Sequence, residues 1–247
     1  MKKGIRITII LILSMITIVF LILGLKEKIY SIDTKYKNEA IREISIKESN
    51  DPIDRKIDFE KLKAINNDVV AWIYIPGTNI DYPILVGDSN EEYLYKDIEG
   101  KYNPLGSLFS FTGTNFTKGN TFIFGHNMAN EQMFGQLKSY ISSEFSNEHK
   151  YFYLYTERKA MKCDIFSTFI CNMNDSILRS QYELGTVDYL NFLSEITTKN
   201  NFSEYNLDGE IMRYSTTKTF SLITCYGAEG TKDRLVVNGI VIEEKIR

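Results

Sequence analysis

Cys225 ends an apolar run, Thr219-Phe220-Ser221-Leu222-Ile223-Thr224-Cys225. Arg234 stands nine residues further on, at the head of a second run from Leu235 to Ile242. Both runs have the length and composition of β-strands. A hairpin with those ends sets a thiol and a guanidinium side by side at one rim of a sheet. A thiolate attacks carbonyl carbon, and a fixed cation can stabilise either that thiolate or the oxyanion it creates. The pair lacks only a proton carrier, and the chain has two histidines. His126 follows the apolar run Thr121-Phe122-Ile123-Phe124, where a strand meets a loop. Such rims hold reactive groups on a rigid scaffold. A Cys–His partnership needs proximity in space, not in sequence, so His126 is the candidate acid/base. His149, in the polar stretch Ser146-Asn147-Glu148-His149-Lys150, is expected to be structural and to sit in a solvated turn.

The elements that must position these groups are mostly short strands. Val69 to Ile75, the turn Pro76-Gly77-Thr78-Asn79, and Ile80 to Val86 read as a first hairpin. Gly106–Phe111, Thr121–Phe124, Lys150–Thr156 and Met161–Ile170 read as further strands before the C-terminal pair. The Tyr-rich stretch Tyr151-Phe152-Tyr153-Leu154-Tyr155 fits an alternating strand better than a ligand cage. Turns every ten residues or so predict a closed or nearly closed β-barrel. A helix is expected from Thr186 to Ile196, where Val187, Leu190 and Leu193 keep helical spacing and Thr186 caps the start. A second short helix is expected over Asn130–Tyr140.

Lys2, Lys3 and Arg6 precede an uncharged, Ile- and Leu-rich run from Ile7 to Leu25. That is long enough to cross a bilayer as a helix, and Leu23-Gly24-Leu25-Lys26 is a poor cleavage site for a signal peptide. The basic residues before it predict a cytoplasmic N-terminus and an extracellular remainder, hence a single-pass protein of the cell membrane. The chain then divides into a cytoplasmic segment 1–6, a transmembrane anchor 7–25, a juxtamembrane stalk with N-terminal helices 26–66 broken near Asp51-Pro52, and a β-domain 67–247. Formal net charge is −3, and −6 once the three leading cations are assigned to the cytoplasm. No basic stripe points to nucleic acid. Three cysteines are too few and too odd for a disulfide framework, although a Cys163–Cys171 pair stays open. Their spacing does not fit zinc, no calcium or phosphate loop is present, and no cofactor is expected.

Ordered along the chain, these residues resemble the sortases, cysteine transpeptidases of Gram-positive surfaces, over about Asn67 to Ile242. The resemblance rests on Ser221-Leu222-x-Thr224-Cys225 followed by Arg234, and on Gly125-His126-Asn127-Met128 upstream. Ala71-Trp72-Ile73, Thr78-x-Ile80-Asp81-Tyr82-Pro83, Asn90-x-x-Tyr93-Leu94, Gly106-Ser107-Leu108-Phe109, Met133-Phe134 and Leu137 follow the order of class B, as does the helix before the last two strands.

The resemblance implies a mainly β fold, the sortase closed barrel with N-terminal helices and an inserted helix. It implies that Cys225 is the nucleophile and His126 the general acid/base. Arg234 would bind substrate or the oxyanion. It further implies a groove for a C-terminal sorting signal of exported proteins, with Asn90, Leu94, Ile223, Thr224 and Tyr226 as candidate contacts and a peptidoglycan precursor or cell-wall peptide amine as acceptor. Ile223, Tyr226 and Phe124 depart from residues common in that class, so the signal motif is open. Two other readings remain: a non-catalytic, membrane-tethered barrel that binds a surface partner, and an enzyme that joins pilin subunits.

Overall fold

The computed structural model describes residues 2–178, 182–202, 211–212, 214–228 and 230–247. Helix α1 runs unbroken from Lys2 to Ser45. Strands β1 (Ile46–Lys47) and β2 (Lys56–Ile57) pair with each other, and α2 (Phe59–Ile65) leads into the barrel. The barrel strands are β3 (Val69–Tyr74), β4 (Asp81–Leu85), β5 (Leu108–Ser110), β6 (Asn120–Phe124), β7 (Tyr151–Tyr155), β8 (Lys159–Asn172), β9 (Thr219–Cys225) and β10 (Asp233–Ile246). They close in the order β3-β4-β5-β6-β9-β10-β8-β7 and back to β3. The β4–β5 and β6–β9 pairs are parallel, and the rest are antiparallel. Helix α3 (Ser143–Glu148) precedes β7, and α4 (Val187–Thr198) lies between β8 and β9.

Alternation along the strands sends one set of side chains inward and the other outward. Ala71, Ile73, Ile84, Phe152, Leu154, Phe220, Leu222 and Val237 fill the interior. The outer face is covered in two places. Ile41, Ile53, Phe59 and Leu62 of the N-terminal segment cover Trp72 and Tyr155. Tyr189, Phe192, Leu193 and Ile196 of α4 cover Phe122, Phe166, Ile223 and Val236. α4 begins as its sequence requires: the Thr186 hydroxyl accepts from the Tyr189 N–H at 3.2 Å.

Several expectations are corrected. The helix expected at 130–140 is only a 3₁₀ segment, Gly135–Ile141. Before it, Glu131 (φ 65°) and Met133 (φ 51°) are left-handed, a conformation no α-helix of L-residues tolerates. The break in the N-terminal helix falls at Ser45, not at Asp51-Pro52. His149 is structural, but in a half-buried cap: it follows α3, its Nδ1 lies 3.0 Å from the Pro76 carbonyl, and its ring lies 4.2 Å from that of Phe145. All three cysteines are free thiols. Cys163 belongs to the interior cluster and Cys171 to the outer one. The register shift beside Phe166 puts them on opposite faces, so the sheet itself separates them.

The N-terminal segment is locked to the barrel by a buried ion pair. Arg55, 3% exposed, donates Nη1 and Nη2 to Asp81 at 2.8 Å each, and Nη2 also to Glu48 at 2.7 Å. The Trp72 indole donates to the same Asp81 at 2.6 Å. Removing one partner of such a pair leaves a desolvated charge behind. Arg55→Met is therefore expected to destabilise the fold by about 3–5 kcal/mol. A thermal-unfolding midpoint within 2 °C or so of wild type would contradict this, since each kcal/mol shifts a domain of this size by about 2–4 °C.

Candidate active site

β9 and β10 place Cys225 directly opposite Arg234. The next rung, Tyr226 N–H to the Asp233 carbonyl at 3.0 Å, makes Cys225–Arg234 a non-hydrogen-bonded pair. In such pairs the Cα atoms are about 4.5 Å apart and side chains on one face approach most closely. The sequence-predicted hairpin is thus present with its thiol and guanidinium together.

β6 brings in the imidazole. It runs parallel to β9 with Phe124 opposite Ile223. Gly125 N–H donates to the Ile223 carbonyl (3.1 Å), the Thr224 hydroxyl donates to the Gly125 carbonyl (2.8 Å), and Asn127 Nδ2 donates to the Cys225 carbonyl (2.9 Å). The chain on each side of His126 is therefore tied to the chain at Cys225. His126 Nε2 lies 2.7 Å from the Leu94 carbonyl, and its ring packs against Tyr95 at 5.5 Å. A carbonyl only accepts, so Nε2 is the donor in this contact and Nδ1 is the ring nitrogen outside it. Gly106 makes this possible: at φ 59° it passes so close to the Leu94 carbonyl that any Cβ would collide with it.

Cys225, His126 and Arg234 line one cleft of about 440 Å³. Its floor is apolar. Phe124 stacks on Phe109 at 5.5 Å and tilts against Phe111 at 4.8 Å, beside Ile223, Leu94 and Leu178. Asn90, Glu91 and Asn174 supply a polar rim. Asn90 accepts from the Thr112 N–H at 2.9 Å through Oδ1, which leaves its Nδ2 to meet a ligand carbonyl. Arg234 is fixed by the Thr231 and Asp233 carbonyls at 3.1 and 2.9 Å and rests against Met173 Sδ at 3.8 Å. An apolar floor with few polar groups and a reactive end suits an extended peptide.

Of the candidate contacts, Asn90, Leu94, Ile223 and Thr224 line this cleft. Thr224 is buried and its hydroxyl is spent on Gly125. Tyr226 is not among the lining residues and packs towards the barrel interior instead. Tyr226 follows the end of β9 and falls on the interior side of the sheet with Phe220 and Leu222, whereas Ile223 belongs to the outer cluster. Glu91, Phe109, Phe111, Met173, Asn174 and Leu178 line the cleft as well, none of them a contact expected from the sequence. Met173 and Asn174 arrive because β8 pairs with β10, where Cys171 lies opposite Arg234. Among the described residues no cluster of His, Cys, Asp and Glu could hold a metal ion.

The other two thiols differ in environment. Cys163 is fully buried, and desolvation pushes its thiol well up. Burial pushes Cys171 up to about 11. Iodoacetamide at pH 8 is therefore expected to modify the folded protein once, at Cys225, as read by peptide mass mapping. Modification of Cys163 or Cys171 at a comparable rate would contradict this.

The sortase domain model matches residues 73–241. Sortase B of Staphylococcus aureus is 31% identical over 186 residues, 74% of each chain. The structure of that enzyme in a substrate complex superposes with a TM-score of 0.66 at 29% identity, covering 75% of this chain and 85% of that one. Sortase B of Clostridium perfringens superposes with a TM-score of 0.67 at 33% identity, covering 75% of this chain and all of that one. With the closed barrel and the thiol-bearing cleft, these matches establish that the chain belongs to the sortase family, as a cysteine transpeptidase most like class B.

Proposed function

We propose that this protein is a membrane-anchored transpeptidase that cleaves a C-terminal sorting signal on exported proteins and transfers them to a cell-wall amine. The observation that carries the reading is the convergence of Cys225, His126 and Arg234 at the reactive end of an apolar-floored cleft. Cys225 attacks the scissile carbonyl of the signal while His126 Nδ1 takes the thiol proton. The carbonyl π-electrons move onto oxygen, and the guanidinium of Arg234 steadies the oxyanion. The C–N bond then breaks, the imidazolium returns its proton to the departing amine, and a thioester remains on Cys225. An incoming primary amine, deprotonated by His126, attacks the thioester carbonyl. The new amide forms as the thiolate leaves.

The likeness to a sortase B solved with its substrate supports a peptide ligand in this cleft. Residues 7–25 supply the anchor: α1 is long and apolar enough there to cross a bilayer, and none of that stretch is buried in the protein. Lys2, Lys3 and Arg6 keep the N-terminus cytoplasmic, so residues 67–247 work outside. Residues 26–66 join the two.

The test is a deletion strain. Specific exported proteins should move from the wall fraction to the membrane or medium, and the wild-type gene, but not the Cys225→Ala form, should restore them. Unchanged wall attachment of every exported protein would sink the proposal. With a signal peptide from a protein so identified, Arg234→Ala should lower kcat by about 10²–10³-fold, the loss for one oxyanion-stabilising group. Arg234→Lys should recover only part of it, because an ammonium lacks the planar fork. Full recovery in the Lys variant would reduce the role of Arg234 to charge alone.

A further inference from the structure

The juxtamembrane half of α1 touches both loops that hold His126, and it does so through one face. Ser31, Thr34 and Lys37 follow at intervals of three, spanning about 9 Å of helix. The first loop leaves Leu94, whose carbonyl holds His126 Nε2, and returns at Ser107. Inside it, Asn103 N–H donates to the Tyr95 carbonyl at 2.9 Å, and Asn103 Nδ2 donates to the Thr34 hydroxyl at 2.7 Å in a buried contact. Lys37 Nζ donates to Asp97 at 3.0 Å and lies 3.4 Å from Glu99. Asp97 in turn accepts from the N–H groups of Glu99 and Lys101, both at 3.0 Å, and so shapes that loop. The second loop begins at His126 and is closed by the Phe134 N–H on the His126 carbonyl at 3.0 Å. Its tip is fastened to Ser31: Asn130 Nδ2 donates to the Ser31 hydroxyl at 2.5 Å, and Gln132 Nε2 to the Ser31 carbonyl at 3.0 Å.

We propose that Ser31, Thr34 and Lys37 form a positioning face for His126, so that the helix emerging from the membrane sets the orientation of the imidazole at Cys225. The claim rests on the acid/base role of His126 given above. None of the three touches the cleft, so they act through the Leu94 carbonyl and the 126–134 loop. The face is polar and its partners are loop groups, whereas the apolar interior of the barrel is packed mainly by side chains of the strands. α1 is continuous from its apolar part to Ser45, so this face lies on the same helix as the apolar stretch.

The test uses the full-length chain in detergent micelles, labelled with ¹⁵N-histidine. Two imidazoles are visible, and His149 serves as the internal control. In the wild type, the His126 signals should report a proton on Nε2. In Thr34→Val and in the milder surface variant Lys37→Ala, they should average between the two tautomers while the protein stays folded, with the unfolding midpoint unchanged in Lys37→Ala and lowered in Thr34→Val, where the buried Asn103 amide loses its acceptor. Cys225 alkylation by iodoacetamide at neutral pH should slow roughly tenfold, inside the range that misplacing a reacting group can cause. Thr34→Ser, which keeps the hydroxyl, should restore both readouts. Wild-type signals and rates in Thr34→Val and Lys37→Ala would overturn the proposal. His126→Ala separates the two claims. If it slows alkylation and the α1 variants do not, only the positioning role is lost. If it does not slow alkylation, the acid/base reading falls and the positioning role with it.

Discussion

Cys225→Ala is expected to abolish turnover, with a loss on the order of 10⁶ in kcat, as when the nucleophile of an acyl-transfer enzyme is removed. That corresponds to about 8 kcal/mol of lost transition-state stabilisation. The remaining thiols cannot take over. Cys163 is sealed inside the barrel, and Cys171 is held under α4 with its thiol pushed up to about 11. Folding should be nearly unchanged, within roughly 0.5 kcal/mol, because residue 225 is a half-buried position at the strand end. Intact-mass spectrometry after mixing with the signal peptide should show an acyl adduct on the wild type and none on the variant. An adduct on Cys225→Ala would move the nucleophile elsewhere.

The second large effect is at His126. His126→Ala should lower kcat by about 10²–10⁴-fold, the usual span for a positioned acid/base. Both halves of the reaction should slow, since the same nitrogen serves thioester formation and its aminolysis. The variant also frees the Leu94 carbonyl to water, so added imidazole has a place to bind and should rescue part of the rate. Steady-state assays with and without imidazole decide the matter. A variant turning over at the wild-type rate would remove His126 from the chemistry.

Much of this was legible in the chain because it depends on neighbours in sequence. The Cys225–Arg234 pairing follows from two apolar strands joined by a short connection, and such a hairpin fixes its own register. The α4 cap and the first hairpin are likewise local. The placement of Tyr226 was legible too, since period-two alternation turns it away from Cys225, yet the family resemblance suggested a cleft contact. The helix expected over Asn130–Tyr140 fails in its first turn, where the Asn127–Met133 bridge spans the segment and Glu131 and Met133 are left-handed, a tertiary arrangement with no local signature.

What the sequence by itself determined is the set of reactive groups, the strands that carry them, the barrel class and the apolar N-terminal span. Each is written in residue type and short-range periodicity. Only the tertiary structure decided that His126 lines the same cleft as Cys225, because the parallel β6–β9 pairing joins strands about a hundred residues apart and has no local signature. The same holds for Met173 and Asn174 at the cleft and for the seating of Ser31, Thr34 and Lys37 on the His126 loops. Those contacts are polar hydrogen bonds between distant segments, and hydrophobic patterning carries no record of them.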